Sequence, residues 1–155
     1  MKRALFPASA ALVANLFFFG PALAQSSDAE MQAVLNEFQE AWSTQDTDAV
    51  LAFFADDFTF EDVPLSLKAT NKEELRGILD YTFASVPNFN MDIFDFYEGN
   101  GFVATKWVQS GNATVKDLNL TNHPYEVTTT SIITFDDDGL ITSVFDNWNV
   151  GILFQ

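Results

Sequence analysis

The hydrophobic pattern of this chain is mainly helical in its first half, where one short strand-like segment over 58–62 interrupts it, and strand-like in its second half, and this order limits the folds that it can adopt. Up to Val86, apolar residues recur mainly every three or four positions, whereas from Phe89 onward they mostly alternate with polar residues. Helices followed by a run of strands are typical of α+β domains, in which the helices cover one face of a mostly antiparallel sheet. We therefore expect a single domain of the α+β class.

Three segments of the first half are predicted to be helical. Segment 28–44 carries one apolar stripe along a helix face, formed by Met31, Val34, Leu35, Phe38, Ala41 and Trp42. A short helix over 46–54 begins with Asp-Thr-Asp, which provides an N-terminal cap. Asn71, with a glutamate three positions later, predicts the start of a third helix that Pro87 ends.

The rest of the chain predicts a sheet. The predicted strands are 58–62, 89–98, 102–111, 125–135 and 140–149. A polar loop is expected over 112–124. Because one amphipathic helix is too small to fill the concave side of a strongly curved sheet, we expect the sheet and the helices to enclose a pocket. Pockets of this kind bind small ligands.

The first 24 residues have the features of an export signal. Lys2 and Arg3 precede an apolar run over 4–19, and the segment Ala-Leu-Ala at 22–24 provides a small-residue cleavage site. A membrane anchor is the alternative, but the run is shorter than the ~20 apolar residues that a span requires. We therefore predict a cleavable signal over 1–24 and one mature domain over 25–155. The protein is expected to be periplasmic or secreted, with no membrane attachment after cleavage.

Charge and residue types exclude several classes of function. The chain has 22 acidic residues against 7 Lys and Arg, so neither nucleic acid nor an anionic membrane is an expected partner. A solvated acidic surface explains this charge, and a cationic ligand is the alternative. The chain has no cysteine and a single histidine, which excludes Cys-based and multi-His metal sites. Asp136–Asp138 before Gly139 predict a hairpin turn rather than a calcium loop, and no metal or cofactor is predicted.

Two segments, AWSTQDTD at 41–48 and FADDFTFED at 54–62, carry a resemblance to a known superfamily. The chain resembles the nuclear-transport-factor-2-like domains, and among them the SnoaL-like group, which is named after a polyketide cyclase. The likeness continues into Leu140 and covers nearly all of the mature chain. It implies a cone-shaped fold with a pocket, which ketosteroid isomerases and limonene epoxide hydrolases share. The same fold also serves in binding and in assembly.

This resemblance implies roles for several positions. Asp62 falls where ketosteroid isomerases keep their general base. Phe38 and Ser131 fall where that family has its two oxyanion donors, a tyrosine and a protonated aspartate, so isomerase activity of that kind is not expected. Asp146 falls where cyclases and epoxide hydrolases of this fold place a working acid on a late strand. Lys106 has no acidic partner beside it in the sequence, which argues against epoxide hydrolysis.

The strand pattern supports the two aspartates independently. Alternation puts Val144, Asp146 and Trp148 on one face of the last strand, which the resemblance assigns to the cavity. Burial there raises the pKa of a carboxylic acid and suits general acid or base catalysis, whereas an aspartate bonded to backbone or facing solvent is the alternative. Only one of Glu61 and Asp62 faces the cavity, and the resemblance favours Asp62. Its alternative role is to cap the following turn.

Other side chains complete the predicted site. His123, in the predicted loop, is a candidate auxiliary acid or base, because some cyclases of this fold use a histidine beside the acid; a plain surface position is the alternative. Three indoles are candidate cavity walls, with core packing as the alternative: Trp42, Trp107 and Trp148. The remaining predicted substrate contacts are Phe38, Val144 and Ser131.

Three functions remain open at this stage. The first is an enzyme without cofactor that uses Asp146 and Asp62 as acid and base on an apolar or polycyclic molecule, in a cyclisation, isomerisation or hydration. The second is a binding protein that holds an apolar ligand after export. The third is a domain with a closed core that forms a homodimer through the outer face of its sheet.

Overall fold

The computed structural model describes residues 28–155, so the predicted export signal lies outside the described residues. Three helices are present: α1 (Asp28–Ser43), α2 (Thr47–Ala52) and α3 (Lys72–Ser85). Six strands form one sheet: β1 (Phe54–Asp62), β2 (Leu67–Ala69), β3 (Asn90–Gly99), β4 (Phe102–Val115), β5 (Leu120–Phe135) and β6 (Ile141–Trp148). Within residues 28–155, every helix falls short of the length or the apolar character that a membrane-spanning helix requires.

The sheet has the order β2-β1-β6-β5-β4-β3 and is open, with β2 and β3 at its edges. All neighbouring strands are antiparallel except β1 and β6, which run parallel. Register shifts interrupt four of the five strand pairs, and such irregularities bend and twist strands. The predicted α+β class, with N-terminal helices on a curved and mostly antiparallel sheet, is confirmed.

The helix starts follow the sequence signals closely. The carboxylate of Asp46 accepts a hydrogen bond from the Ala49 backbone N–H at 3.0 Å, which caps α2. The Asn71 side chain accepts from the Glu74 N–H at 2.9 Å, while the Glu74 carboxylate accepts from the Thr70 N–H at 2.8 Å. These reciprocal bonds satisfy backbone donors that the first turn of α3 leaves unpaired.

The predicted loop over 112–124 is wrong, because β4 and β5 continue through most of it. A short 3-10 helix, Lys116–Leu118, joins the two strands. Pro124 opposes Asn112, in a part of β5 that has a strand on one side only, since pairing with β6 begins at Thr129. Proline is tolerated in such edge positions, so its presence did not mark a loop.

Other boundaries also differ from the expectation. The second helix ends at Ala52 rather than at residue 54, and β1 starts at Phe54 because this residue pairs with Ile141 of β6. Strand β2 and the C-terminal 3-10 helix Val150–Phe154 were not predicted. Both are too short to show a periodic pattern, so their positions depend on the surrounding fold.

Helix α1 packs on the inner face of the sheet through the predicted stripe. Met31, Leu35, Phe38, Ala41 and Trp42 are all buried. The Trp42 ring lies 5.9 Å from the Phe83 ring and 5.8 Å from the Phe89 ring, centroid to centroid, which ties α1 to the end of α3. This aromatic cluster fills one part of the concave side and leaves a space beside it.

Candidate functional site

The space left between α3 and the inner face of the sheet is a cavity of about 250 Å³. Its walls come from α1, α3, the two 3-10 helices and every strand except β3, and they are largely apolar. The three predicted tryptophans, Trp42, Trp107 and Trp148, all line it. The expectation that the sheet and helices enclose a pocket is therefore met, and the core is not closed.

Two aspartates lie side by side in this cavity. Asp62 and Asp146 both line it, and they are register partners on the parallel strands β1 and β6. Register partners on neighbouring strands are about 4.8 Å apart along the sheet and point to the same face. Glu61 forms an ion pair with Lys68 at 2.9 Å, and it is Asp62, as predicted, that reaches the cavity.

A chain of hydrogen bonds fixes the Asp146 side chain. The Ser131 hydroxyl donates to Asp146 Oδ1 at 2.5 Å, and the Trp107 indole N–H donates to Ser131 Oγ at 2.7 Å. All three side chains are buried, and Asp146 is only 8% exposed. Asp146 Oδ2 accepts no hydrogen bond from the described residues, so it is the oxygen available to a ligand.

The surroundings of Asp146 tune its acidity. Burial raises the pKa of Asp146 to about 7, because the cavity stabilises the neutral acid over the charged carboxylate. The Ser131 hydroxyl works against this rise, and the nearby Asp62 carboxylate adds to it. Both protonation states are therefore populated near neutral pH, which is the condition under which one group both takes and returns a proton.

Asp62 has both of its oxygens engaged. Oδ1 accepts from the Leu65 backbone N–H at 3.0 Å, which closes the turn between β1 and β2, and Oδ2 accepts from the Trp148 indole N–H at 3.1 Å. Burial raises the pKa of Asp62, while these two hydrogen bonds oppose the rise. Asp62 thus combines the turn-capping role with a place in the cavity wall, and it is better suited to hold Trp148 than to carry a proton.

The remaining predicted site residues lie elsewhere. His123 was predicted in a loop, but it lies half-buried on β5 opposite Ala113 and outside the cavity lining. Three predicted contacts do not line the main cavity either, but surround a neighbouring void of about 10 Å³: Phe38, Val144 and Ser131. These three residues therefore lie beside the main cavity, where α1 and the sheet pack together, and their role as substrate contacts stays a prediction.

The sequence prediction missed several polar residues of the cavity, and Gln109 and Tyr125 are two of them. Gln109 lies on the same face of β4 as Trp107, and its amide donates to Thr129 Oγ1 at 3.1 Å. The alternation around Trp107 is the signal that would have found it. Burial raises the pKa of Tyr125 to about 12, so its hydroxyl stays protonated. The alternation along the predicted strand 125–135, which puts Tyr125 on the same face as Ser131, is the signal that would have found it.

Residues 28–155 contain no group of three or more His, Cys, Asp or Glu side chains that could hold a metal ion. The acidic run at the β5–β6 turn has a structural role, because Asp136 Oδ1 accepts from the backbone N–H groups of Asp138 and Leu140 at 3.0 and 2.9 Å. The chemistry available in the cavity is that of carboxylates, hydroxyls, an amide and indoles.

This fold and this cavity define a class of pocket proteins with a cone-shaped α+β domain. The model of the SnoaL-like domain family matches residues 35–144, most of the chain, and the chain therefore belongs to that family. The family match confirms the resemblance to the nuclear-transport-factor-2-like superfamily. No curated protein matches the chain.

Solved structures share the fold at low sequence identity. A protein of Catenulispora acidiphila with a ketosteroid isomerase-like fold, solved with trimethylamine, is 21% identical and has a TM-score of 0.69, over 77% of this chain and 88% of that one. A Shewanella denitrificans protein, provisionally assigned as a SnoaL-like polyketide cyclase, is 14% identical with a TM-score of 0.69, over 82% and 95%. TsrD from Streptomyces laurentii is 14% identical with a TM-score of 0.70, over 83% and 95%. At these identities the likeness establishes the fold alone.

Proposed function

We propose that this protein is an acid/base enzyme without cofactor, in which Asp146 moves a proton on a largely apolar carbonyl compound bound in the cavity. The observation that carries the proposal is a buried carboxylic acid, held by Ser131, in a mostly apolar cavity with one oxygen left for a ligand. Its pKa near 7 suits proton transfer in both directions. A cyclisation, isomerisation or hydration fits this site.

The proposed step begins with Asp146 as a carboxylate. Oδ2 takes a proton from a carbon next to the carbonyl group, the C–H bond breaks, and its electron pair forms the enolate. Asp146 then returns a proton to a carbon of the product, either the one that it took or one that it has exchanged with solvent in the meantime, so no electron acceptor is needed. Ser131 holds Oδ1 during both transfers, and Asp62 holds the Trp148 wall. The apolar walls keep water away from the enolate.

The first test is hydrogen–deuterium exchange at the carbon next to the carbonyl group of 1-tetralone in D₂O, followed by NMR. The wild-type protein is expected to accelerate the exchange, and Asp146→Asn is expected to lose at least about 100-fold, because the base is gone while the size and the Ser131 hydrogen bond are kept. Asp57→Asn, which changes an exposed acid of β1, is the matched control. Equal exchange by the wild type and Asp146→Asn, with both proteins folded by circular dichroism, contradicts the proposal.

A second candidate function is binding without chemistry. Two carboxylates and three indoles line the cavity, and no Lys, Arg or His of the described residues lies among its lining. Indole faces and carboxylates bind alkylammonium groups, and the fold neighbour from Catenulispora acidiphila was solved with trimethylamine. Calorimetric titration with trimethylamine measures this directly. Binding that weakens in Asp146→Asn, together with no exchange on 1-tetralone, favours an amine-binding protein over the enzyme.

Export is also part of the proposed function. The sequence features of residues 1–24 support it, and the acidic composition suits a protein that stays soluble outside the cell. Mass spectrometry of the protein expressed from the full sequence in a bacterial host provides the measurement. A mature chain that begins at Gln25 supports export, and a chain that keeps its first 24 residues argues against it.

A further inference from the structure

We propose that the indole N–H of Trp42 donates a hydrogen bond to an acceptor oxygen of the ligand, so that the ligand carries a carbonyl group at its buried end. This inference rests on the proposed function in taking the cavity as the ligand site. It adds the place of the carbonyl group in the cavity and the residue that positions it.

The three indoles of the cavity differ in one respect. Trp107 Nε1 donates to Ser131, and Trp148 Nε1 donates to Asp62. Trp42 Nε1 is the only buried side-chain nitrogen or oxygen in residues 29–155 that has no hydrogen-bond partner, and Trp42 is 7% exposed. Nearly all buried donors in proteins are paired, so an unpaired one calls for an explanation, and an acceptor atom of a bound water or ligand is one.

The space next to Trp42 has the size of a single oxygen atom. The Trp42 ring lines both the main cavity and the void of about 10 Å³, and the two spaces also share Phe60, Trp107 and Asp146. A void of this size is near the minimum that one water molecule occupies. A carbonyl oxygen has a similar size, so it fits the void while the apolar body of the ligand occupies the main cavity.

Asp146 lies where it can react with the carbon next to this carbonyl group. Asp146 lines the same two spaces as Trp42, so a carbonyl group bound by Trp42 presents its neighbouring carbon towards the carboxylate. When Asp146 takes a proton from that carbon, negative charge develops on the oxygen, and a donor held there stabilises this charge. Phe38, one helical turn earlier on α1, lines the same void but has no polar atom that could stabilise this charge.

The same geometry separates the two candidate ligand classes. An ammonium ion is a hydrogen-bond donor and leaves the Trp42 N–H unpaired, whereas a ketone pairs with it. The pair of probes that tests this is 1-tetralone and tetralin, which have the same two rings and differ in the carbonyl oxygen. The wild-type protein is expected to bind 1-tetralone about tenfold more tightly than tetralin, the effect of one additional hydrogen bond.

Protein with ¹⁵N-labelled indoles makes the contact visible by NMR. Three indole N–H signals are expected, and the Trp42 signal is identified by its loss in Trp42→Phe. With 1-tetralone this signal is expected to move downfield. With tetralin its position is expected to change no more than the positions of the other two indole signals do. The signals of Trp107 and Trp148 serve as internal controls, because their donors are already paired.

Trp42→Phe keeps an aromatic ring and removes only the donor and part of the ring. We expect the tenfold preference for 1-tetralone to disappear in this variant, while the affinity for tetralin changes by less than about threefold. A preference that survives in Trp42→Phe overturns the inference. So does a wild-type protein that binds both probes equally, or neither.

This result is independent of the proposed chemistry. Asp146→Asn is expected to keep the preference for 1-tetralone, since the donor is on α1 and not on β6. If the wild type shows the preference but no exchange in D₂O, the enzyme proposal fails and the ligand assignment stands. If exchange occurs without a preference, the ligand assignment fails and the enzyme proposal stands.

Discussion

At the scale of residues, the site follows from the placement of a few side chains relative to the pleat of the strands. Alternation along β6 put Asp146 on the inner face, and the structure agrees. The hydrogen bonds from Trp107 to Ser131 and from Ser131 to Asp146 were not predictable, because they depend on the register of Thr105, Ser131 and Asp146 across three strands. A single sequence carries no signal for that register.

The raised pKa of Asp146 has a consequence for stability. In the folded protein this acid binds its proton up to a pH of about 7, whereas in the unfolded chain it releases the proton near pH 4. Proton binding by Asp146 therefore contributes its full stabilisation of the folded state below about pH 4, and this contribution is lost as the pH rises through 7. Asp146→Asn removes this dependence, so its stability relative to the wild type is expected to rise between pH 4.5 and pH 8 by an amount on the order of 3 kcal/mol.

Urea unfolding of the two proteins at both pH values measures this difference. Titration of the acids that lie far from residue 146 cancels in the comparison, because both proteins share them. Asp57→Asn, an exposed change on β1, provides the control and is expected to show no such pH-dependent difference. A constant difference between wild type and Asp146→Asn across this range contradicts the assignment of a buried, proton-binding Asp146.

At the scale of elements, the sequence predicted helices better than strand ends. The caps at Asp46 and Asn71 are local signals, and both helices start where these residues predicted. The ends of β4 and β5 are set by pairing between the two strands, such as Ala113 with His123. Because the side chains there are mostly polar, the sequence pattern predicted a loop instead of paired strands. The prediction of a loop position for His123 is wrong for the same reason, since the residue lies on β5.

The contact between α3 and β4 is closely packed, and two glycines test it. A Cβ at Gly111 of β4 would lie 2.5 Å from Val86 Cγ1 and 3.3 Å from the Asn88 carbonyl oxygen, whereas a Cβ at Gly77 of α3 meets nothing within 4 Å. Gly111→Ala is therefore expected to destabilise the fold by about 1–3 kcal/mol. Gly77→Ala is expected to stabilise it by about 0.5–1 kcal/mol, because alanine favours a helix.

The two glycine variants form a matched pair, since each adds one methyl group. Thermal unfolding followed by circular dichroism gives the order of their stabilities. If Gly111→Ala is as stable as the wild type, the end of α3 adjusts freely against β4. That result argues against a rigid wall on this side of the cavity.

At the scale of the whole molecule, the outer face of the sheet carries a row of apolar side chains. Tyr97, Ala104, Ile132 and Phe145 are successive register partners across β3, β4, β5 and β6, and all except Ala104 are well exposed. Phe102 is exposed beside this row. Such a continuous apolar surface is typical of an interface, and we propose that it joins two copies of the chain.

Sedimentation velocity tests this dimer. Ile132→Lys puts a charge in the centre of the row and is expected to give a monomer with an intact cavity, whereas Thr128→Lys, farther along the same face of β5, is the control and stays dimeric. Because each copy carries a formal charge of −15, association is expected to strengthen with added salt. A wild-type protein that is monomeric at all salt concentrations contradicts the proposal.

Strand β6 is the last strand in the chain, yet it lies between β1 and β5 in the sheet. Until residues 141–148 have been synthesised, β1 and β5 therefore each have one backbone edge without its hydrogen-bonding partner. Open edges invite pairing with other chains, so a shortened chain is prone to aggregate rather than to be merely inactive. The pair Asp62 and Asp146 forms in the same step that closes the sheet. A chain that is not complete to its last strand thus lacks Asp146 and has no cavity wall on this side of the sheet.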